Sequence, residues 1–338
     1  MFRDNTVFVV GAGASAEFRM PVGTELMKRI KEHSQPDTEN FPSEINHCLI
    51  DSYRTTSEIG FRKSALTEIN RSIDLAGSID EFINRHQNDQ YIPEVGKLLI
   101  AYEISVAERK SSLWQPPSEP FQSTLDAVDK TWIHTFAQLL FDGVKNFEVE
   151  SVGSNITIIC FNYDRCIEHF LAEAIVKTFR DVTRDQARRI VSEINIIHPY
   201  GSLGALGEFE FGDNVNSQNI RSLSENIFTW SEARNSSIEE QIQKSISSAS
   251  TLVFLGFAFA PQNMRLLAAN DPFERQRLNM ETFATAYGYD SVIDTRLKSK
   301  IRDLYSDGDF SYNAGPIHIQ YDKKCAEFLR AHSMALVV

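Results

Sequence analysis

From Thr6 to Val10 the chain is a run of β-branched and aromatic side chains without polar alternation, and Gly11-Ala12-Gly13 breaks it at once. A strand with one wet face alternates, whereas a strand covered on both faces does not, so this run fits the centre of a parallel sheet. After the glycines, Pro21 suits a first helical turn, and Val22, Leu26 and Ile30 recur every four residues on one face. The stretch reads as strand, loop, helix.

The pattern returns in "NITIICFNYDRCIEHFL", with a strand from Ile156 to Phe161, a polar turn, and a helix carrying Ile167, Phe170 and Leu171. Two more strands, Ile194 to Ile197 and Thr251 to Leu255, run into the turns "HPYGSLG" and "GFAFAPQN", and a further strand is possible at Thr282 to Tyr287. Strands that all end in polar or glycine-containing turns predict an α/β fold, a Rossmann-like open parallel sheet with helices on both faces. Its ligand site lies at the carboxyl ends of the strands. Residues 33–150 are polar, helix-compatible sequence divided by the break Trp114-Gln115-Pro116-Pro117-Ser118-Glu119-Pro120. They read as a large helical insertion or cap, with 1–32 and 151–338 forming the sheet domain.

At 338 residues the chain is long for one small domain, given roughly 150 residues per unit. Its net charge of −12 sets the overall field against nucleic acid, so direct nucleic-acid binding is disfavoured. Apolar runs such as Leu252 to Ala260 fall short of the roughly 20 residues a bilayer needs, so no membrane span is expected. Met1-Phe2-Arg3-Asp4 shows no signal-peptide pattern, and a cytoplasmic protein is expected. The four cysteines, Cys48, Cys160, Cys166 and Cys325, form no C-x-x-C pair, and the histidines show no ligand spacing, so no metal is expected.

Three turns carry the chemistry. Gly11-Ala12-Gly13-Ala14-Ser15-Ala16 fits G-x-G-x-x-A between a strand and a helix, where free N–H groups and a helix N-terminus can hold a pyrophosphate; a plain strand-to-helix turn has the same spelling. A dehydrogenase would next show an acid at the end of a second strand about 20 residues on, and "KEHSQPDTEN" supplies no such strand. "CFNYD" sets Asn162 and Asp164 at a strand mouth, with Asp164 also placed to cap the helix beginning at Arg165. "IIHPYGSLG" brings His198 to another strand end, where an imidazole can serve as a base. Arg180, Arg184 and Arg188 form a stripe on the following helix, read as a solvated face or a contact surface, and Gly204 to Asn226 reads as a lid or a long surface loop.

GAGAS with Pro21, FNYD, the turn ending in Gly201-Ser202-Leu203, and LGFAF with Asn263, in that order, resemble the sirtuin-like NAD-binding superfamily. The similarity is greatest to its bacterial antiphage-defence branch of Thoeris-type effectors, which often carries a stretch like Ser78-Ile79-Asp80-Glu81-Phe82. The resemblance implies that Gly11, Ala12, Gly13 and Ser15 line the NAD pyrophosphate and that Asn162 holds the nicotinamide ribose and the attacking group. Asp164 then orients the nicotinamide end, Gly256 and Phe257 contact the adenosine half with support from Asn263, and His198 is the general base. The family usually has His directly before Gly, whereas here Tyr200 precedes Gly201. Some members of the branch carry His-x-His-Gly, which would match His198 to the first histidine and Tyr200 to the second, and leaves open which of the two occupies the base position. The four-cysteine zinc module of the deacylases has no counterpart.

The resemblance thus implies an NAD hydrolase whose acceptor is water, giving nicotinamide and ADP-ribose, in an antiphage role. It also implies a homo-oligomer and a possible partner ATPase of the ring-forming DNA-translocase type. Two alternatives stay open: an ADP-ribosyltransferase or deacylase in the same pocket, and a catalytically silent subunit that binds NAD or ADP-ribose and assembles with a partner.

Overall fold

Every residue of β1 (Thr6–Val10) is buried, as a run without polar alternation must be. It is flanked in parallel by β2 (Ile156–Cys160) and β4 (Thr251–Leu255), with Val10 level with Cys160 on one side and Leu255 on the other. β3 (Asn195–Ile197) lies outside β2, and β5 (Glu281–Thr285) and β6 (Ile317–Gln320) lie outside β4. The six strands form one sheet of order β3-β2-β1-β4-β5-β6, parallel throughout. This is the α/β, Rossmann-like arrangement that the strand ends predict. The order reverses between β1 and β4, where a doubly wound sheet opens a crevice at its carboxyl edge. β6 is absent from the sequence reading.

The structure is a computed structural model and describes residues 1–116, 118–119, 121–234, 237–268, 280–305 and 315–338. Pro117 and Pro120 of the proline-rich break lie outside the described residues. α1 (Ala12–Ser15) and α2 (Gly23–Glu32) follow β1. Then come α3 (Ser43–Ser52), α4 (Thr56–Ser72), α5 (Ile79–Arg85), α6 (Ile92–Lys110), α7 (Gln122–Val128) and α8 (Trp132–Phe141). α9 (Cys166–Thr178) and α10 (Arg184–Glu193) join β2 to β3, and α11 (Ile220–Glu225), α12 (Trp230–Arg234) and α13 (Ser237–Ser248) lead to β4. α14 (Pro261–Leu267) follows β4, α15 (Asp294–Arg302) follows β5, and α16 (Cys325–Leu336) follows β6. Among the described residues no helix is long and apolar enough to cross a membrane.

Residues 33–150 are helical as expected, yet their last helix belongs to the cover of the sheet. Phe136 of α8 stands 5.1 Å from both Phe2 and Phe8, ring centre to ring centre, and Trp132 Nε1 donates to Ala14 O at 3.0 Å. The buried apolar cluster runs without interruption from the strands into α4, α5 and α6. Local expectations shift in three places. The glycines lead through α1, a 3-10 turn at Ala16–Phe18 and a left-handed Arg19 before α2 begins at Gly23. Val22 is therefore an exposed N-cap, and only Leu26 and Ile30 of the predicted stripe are buried. Arg180 sits between α9 and α10, while Arg184 and Arg188 pair with Glu173 and Glu210 on a salt-bridged face. The segment 204–226 is not all loop, since α11 closes it.

One buried ion pair fastens the helical layer to the sheet domain. Glu108 of α6 (0% exposed) faces Arg165 (1% exposed), which precedes α9. Arg165 Nη2 donates to Glu108 Oε2 at 2.7 Å, and its backbone N–H donates to Oε1 at 3.0 Å. Arg165 Nη1 also donates to Phe209 O at 2.5 Å, drawing the segment after β3 into the same knot. A buried guanidinium and carboxylate offset their desolvation only while each keeps the other. Glu108→Ala should therefore lose about 3–5 kcal/mol of stability in urea unfolding. The apolar pair Glu108→Leu/Arg165→Met should lose less than either single change.

Candidate functional site

Parallel pairing of β1 and β4 in register forces their carboxyl-terminal turns together, and the glycines follow from that contact. A Cβ on Gly11 would stand 2.7 Å from Gly256 O, and one on Gly13 would stand 2.8 Å from it. Gly256 adopts φ +57, and a Cβ there would meet Ala14 N at 2.0 Å. The N–H of Gly11 donates to Leu255 O and that of Gly13 to Gly256 O, both at 3.0 Å. These two donors are thus spent within the fold, and the four-residue α1 offers a phosphate little macrodipole. A cavity of about 480 Å³ nonetheless opens in the crevice beside Ala12, Gly13, Gly256 and Phe257. Lys324, close to the Tyr287 ring at 5.5 Å, stands at its wall.

On its other side the glycine turn holds Asn162. Asn162 Nδ2 donates to Gly11 O at 3.2 Å and to Ser15 Oγ at 2.9 Å, and Ser15 Oγ donates to Asp164 Oδ1 at 3.2 Å. All three side chains are at least 95% buried. Asn162 Oδ1 is out of contact with solvent and has no hydrogen-bond partner. Asp164 Oδ1 also accepts from Cys166 N at 3.2 Å. α9 starts at Cys166 with Arg165 as its N-cap and no side-chain cap, so Asp164 closes the turn one residue before the N-cap and does not itself cap the helix, contrary to the expectation. Burial raises the Asp164 carboxyl above its ordinary value, against the hydrogen bonds from Cys166 and Ser15. Gly11, Ser15, Asn162 and Asp164 therefore meet, with Ala12 and Gly13 on the neighbouring cavity wall.

His198 looks into a different hollow, of about 440 Å³, bounded by α9, α10 and the turn after β3. Its Nδ1 lies 2.9 Å from Asn162 O, a carbonyl that can only accept, so Nδ1 carries a proton. Its Nε2 lies 2.7 Å from Glu168 Oε1. Burial disfavours the charged ring, but the Glu168 carboxylate outweighs it and raises the His198 pKa, while His198 lowers that of Glu168 against its own desolvation. Both directions favour an imidazolium beside a carboxylate. Both ring nitrogens are engaged, Nδ1 with Asn162 O and Nε2 with Glu168, so in this arrangement neither faces a water as the base expected of His198 would.

Tyr200 is 2% exposed and hydrogen-bonds through its hydroxyl to Asn263 Oδ1 at 2.7 Å. Gly201, at φ +71, leaves no room for a side chain against Asn226 O. Phe257 joins the two turns, with its ring 5.1 Å from that of Phe161. Three contributors are given no role in the sequence reading, although Asp80 lies in the Ser78 to Phe82 stretch quoted there. Glu168 pairs with His198; Asp80 of α5 accepts from the Tyr163 hydroxyl, and its carboxyl is pushed up to about 6 by burial. Glu17 accepts from Trp132 N at 2.8 Å and Ala326 N at 3.1 Å, tying α8 and α16 to the crevice wall. Acidic residues on otherwise apolar helix faces, such as Glu168 in "CIEHFL", were the available signal. Among the described residues no group of three or more His, Cys, Asp or Glu side chains is placed to hold a metal ion. No protein-family model and no curated protein sequence matches this chain.

The ionic character of the His198 and Glu168 pair can be read from stability against pH. Glu168, lowered from 4.5, contributes above that value and loses its contribution as pH falls through the lowered pKa. His198, raised from 6.5, contributes below that value and loses its contribution as pH rises through the raised pKa. The stability deficit of Glu168→Gln relative to the parent chain should be largest between pH 4.5 and 6.5 and shrink on both sides. A deficit independent of pH would show that the pair is not ionic.

Proposed function

We propose that this chain binds NAD across the crevice between β1 and β4 and hydrolyses its bond between nicotinamide and ribose. The observation that carries this reading is the Asn162 carbonyl oxygen. It is a buried acceptor without a partner, held on the β2 side of the glycine turn, across that turn from the crevice cavity, and an orphaned buried acceptor is costly unless a ligand or a water uses it. The crevice supports the same reading. Lys324 and the exposed Tyr287 offer a positive charge and a stacking face at the wall of the cavity, suited to a nucleotide phosphate and its purine.

The chemistry asks little acid assistance, because nicotinamide leaves as a neutral ring from a cationic one. The glycosidic electron pair goes to the departing ring nitrogen, the ribose passes through an oxocarbenium-like state, and water oxygen bonds to the anomeric carbon, the strongly acidic oxonium so formed giving its proton to bulk water. Asn162 Oδ1 accepts a hydrogen bond from the attacking water or a ribose hydroxyl and so fixes geometry. His198, whose Nδ1–H donates to the Asn162 carbonyl, holds that backbone in place. Because Asn162 Oδ1 is shielded from solvent, this arrangement is a resting one that must open to turn over. The antiphage setting, self-assembly and a partner ATPase rest on the family resemblance alone and are proposed with it.

A second reading is a nucleotide-binding subunit without catalysis, favoured by the two occupied nitrogens of His198. Following nicotinamide release from NAD, with ADP-ribose binding measured in parallel, separates the two. Asn162→Ala should slow release by at least about 100-fold while ADP-ribose binding persists. Undiminished release in that variant removes the hydrolytic mechanism, and binding without any release selects the second reading.

A further inference from the structure

We infer that Ser15 is a positioning residue for Asn162 rather than a ligand of the dinucleotide, relaying the direction of its hydrogen bonds from Asp164 so that the amide presents its oxygen to the substrate. The inference rests on the proposed cleavage of NAD. It follows from what each atom can donate. Gly11 O is a backbone carbonyl and only accepts, so the Asn162 atom 3.2 Å away must be the nitrogen. The second N–H of that nitrogen points to Ser15 Oγ at 2.9 Å, which therefore accepts. The single hydroxyl hydrogen of Ser15 is then given to Asp164 Oδ1 at 3.2 Å.

Every donor in this chain is spent. Ser15 has no hydroxyl hydrogen left for a phosphate oxygen, which can only accept. The pyrophosphate contact that the family resemblance implies for Ser15 is incompatible with this arrangement. What remains unpaired is Asn162 Oδ1, and both neighbours of the amide oppose rotation that would exchange oxygen for nitrogen. Gly11 O would then face another oxygen at the same distance. Ser15 would have to donate to that oxygen and abandon Asp164.

The test uses the full-length chain with two readouts. In protein labelled with ¹⁵N-asparagine, the side-chain amide signals of Asn162 are assigned by their loss in Asn162→Ala. Ser15→Ala removes one acceptor, so one of the two proton signals should move upfield and exchange faster with water. With NAD as substrate, Ser15→Ala should lower kcat about 10-fold to 100-fold with KM changed less than about two-fold, and Ser15→Ala/Asn162→Ala should be no slower than Asn162→Ala alone. Ser15→Thr, which keeps the hydroxyl, should retain the parent signals and most of kcat, and it serves if the alanine variant is poorly folded. Unmoved amide signals in Ser15→Ala overturn the relay whatever the activity. Shifted signals with unchanged kcat, or multiplicative losses in the double variant, overturn the positioning role while leaving NAD cleavage standing. If the parent chain releases no nicotinamide, the hydrolase reading falls and the catalytic part of this inference falls with it, the amide signals still deciding the relay.

Discussion

The contact between the turn after β1 and the turn after β4 governs the rest of the molecule. Two strands paired in parallel and in register deliver their exits to the same place, and the exits fit only if three positions carry no side chain. Gly11, Gly13 and Gly256 meet that condition, and Gly256 also supplies the left-handed backbone that turns the chain away. The crevice and the cradle for Asn162 are the two sides of this one contact. A glycine pattern spelled like a phosphate loop is here first a solution to backbone crowding, with its N–H groups largely committed to the neighbouring turn.

Around that contact the structure is held by one fully buried acid, Glu108, and two half-buried ones, Glu17 and Glu168. Glu108, Glu17 and Glu168 each accept hydrogen bonds from elements distant in the chain: Arg165 and the start of α9, the starts of α8 and α16, and the ring of His198. A carboxylate taken out of water costs several kcal/mol unless such partners surround it, so these groups favour one arrangement of the helices over near alternatives. The helical segment between β1 and β2 is thus fastened to the sheet by specific polar knots and by the aromatic packing of α8.

The sheet was legible in the sequence because burial on both faces leaves an unmistakable apolar run. β1, β2 and β4 are of that kind. β6 was missed for the opposite reason: Ile317-His318-Ile319-Gln320 is short and half polar, an edge strand with little to hide. The convergence of Asn162, Asp164 and Ser15 was legible from their places at strand exits, since a parallel sheet brings all exits to one side. The environment of His198 was not. Its partner Glu168 is 30 residues away in sequence, and no periodicity reports which face of α9 an imidazole will meet. The start of α2 was misjudged for a local reason, because the left-handed Arg19 reverses the chain in a conformation that a side chain of that type rarely signals.

The two margins of the sheet carry a consequence of their own. β3 has three residues and β6 four, so neither border offers a long row of open backbone groups to a second chain. Growth of the sheet from one molecule into the next is thereby discouraged. Contacts through side chains on helices and loops are favoured over extension of the ladder.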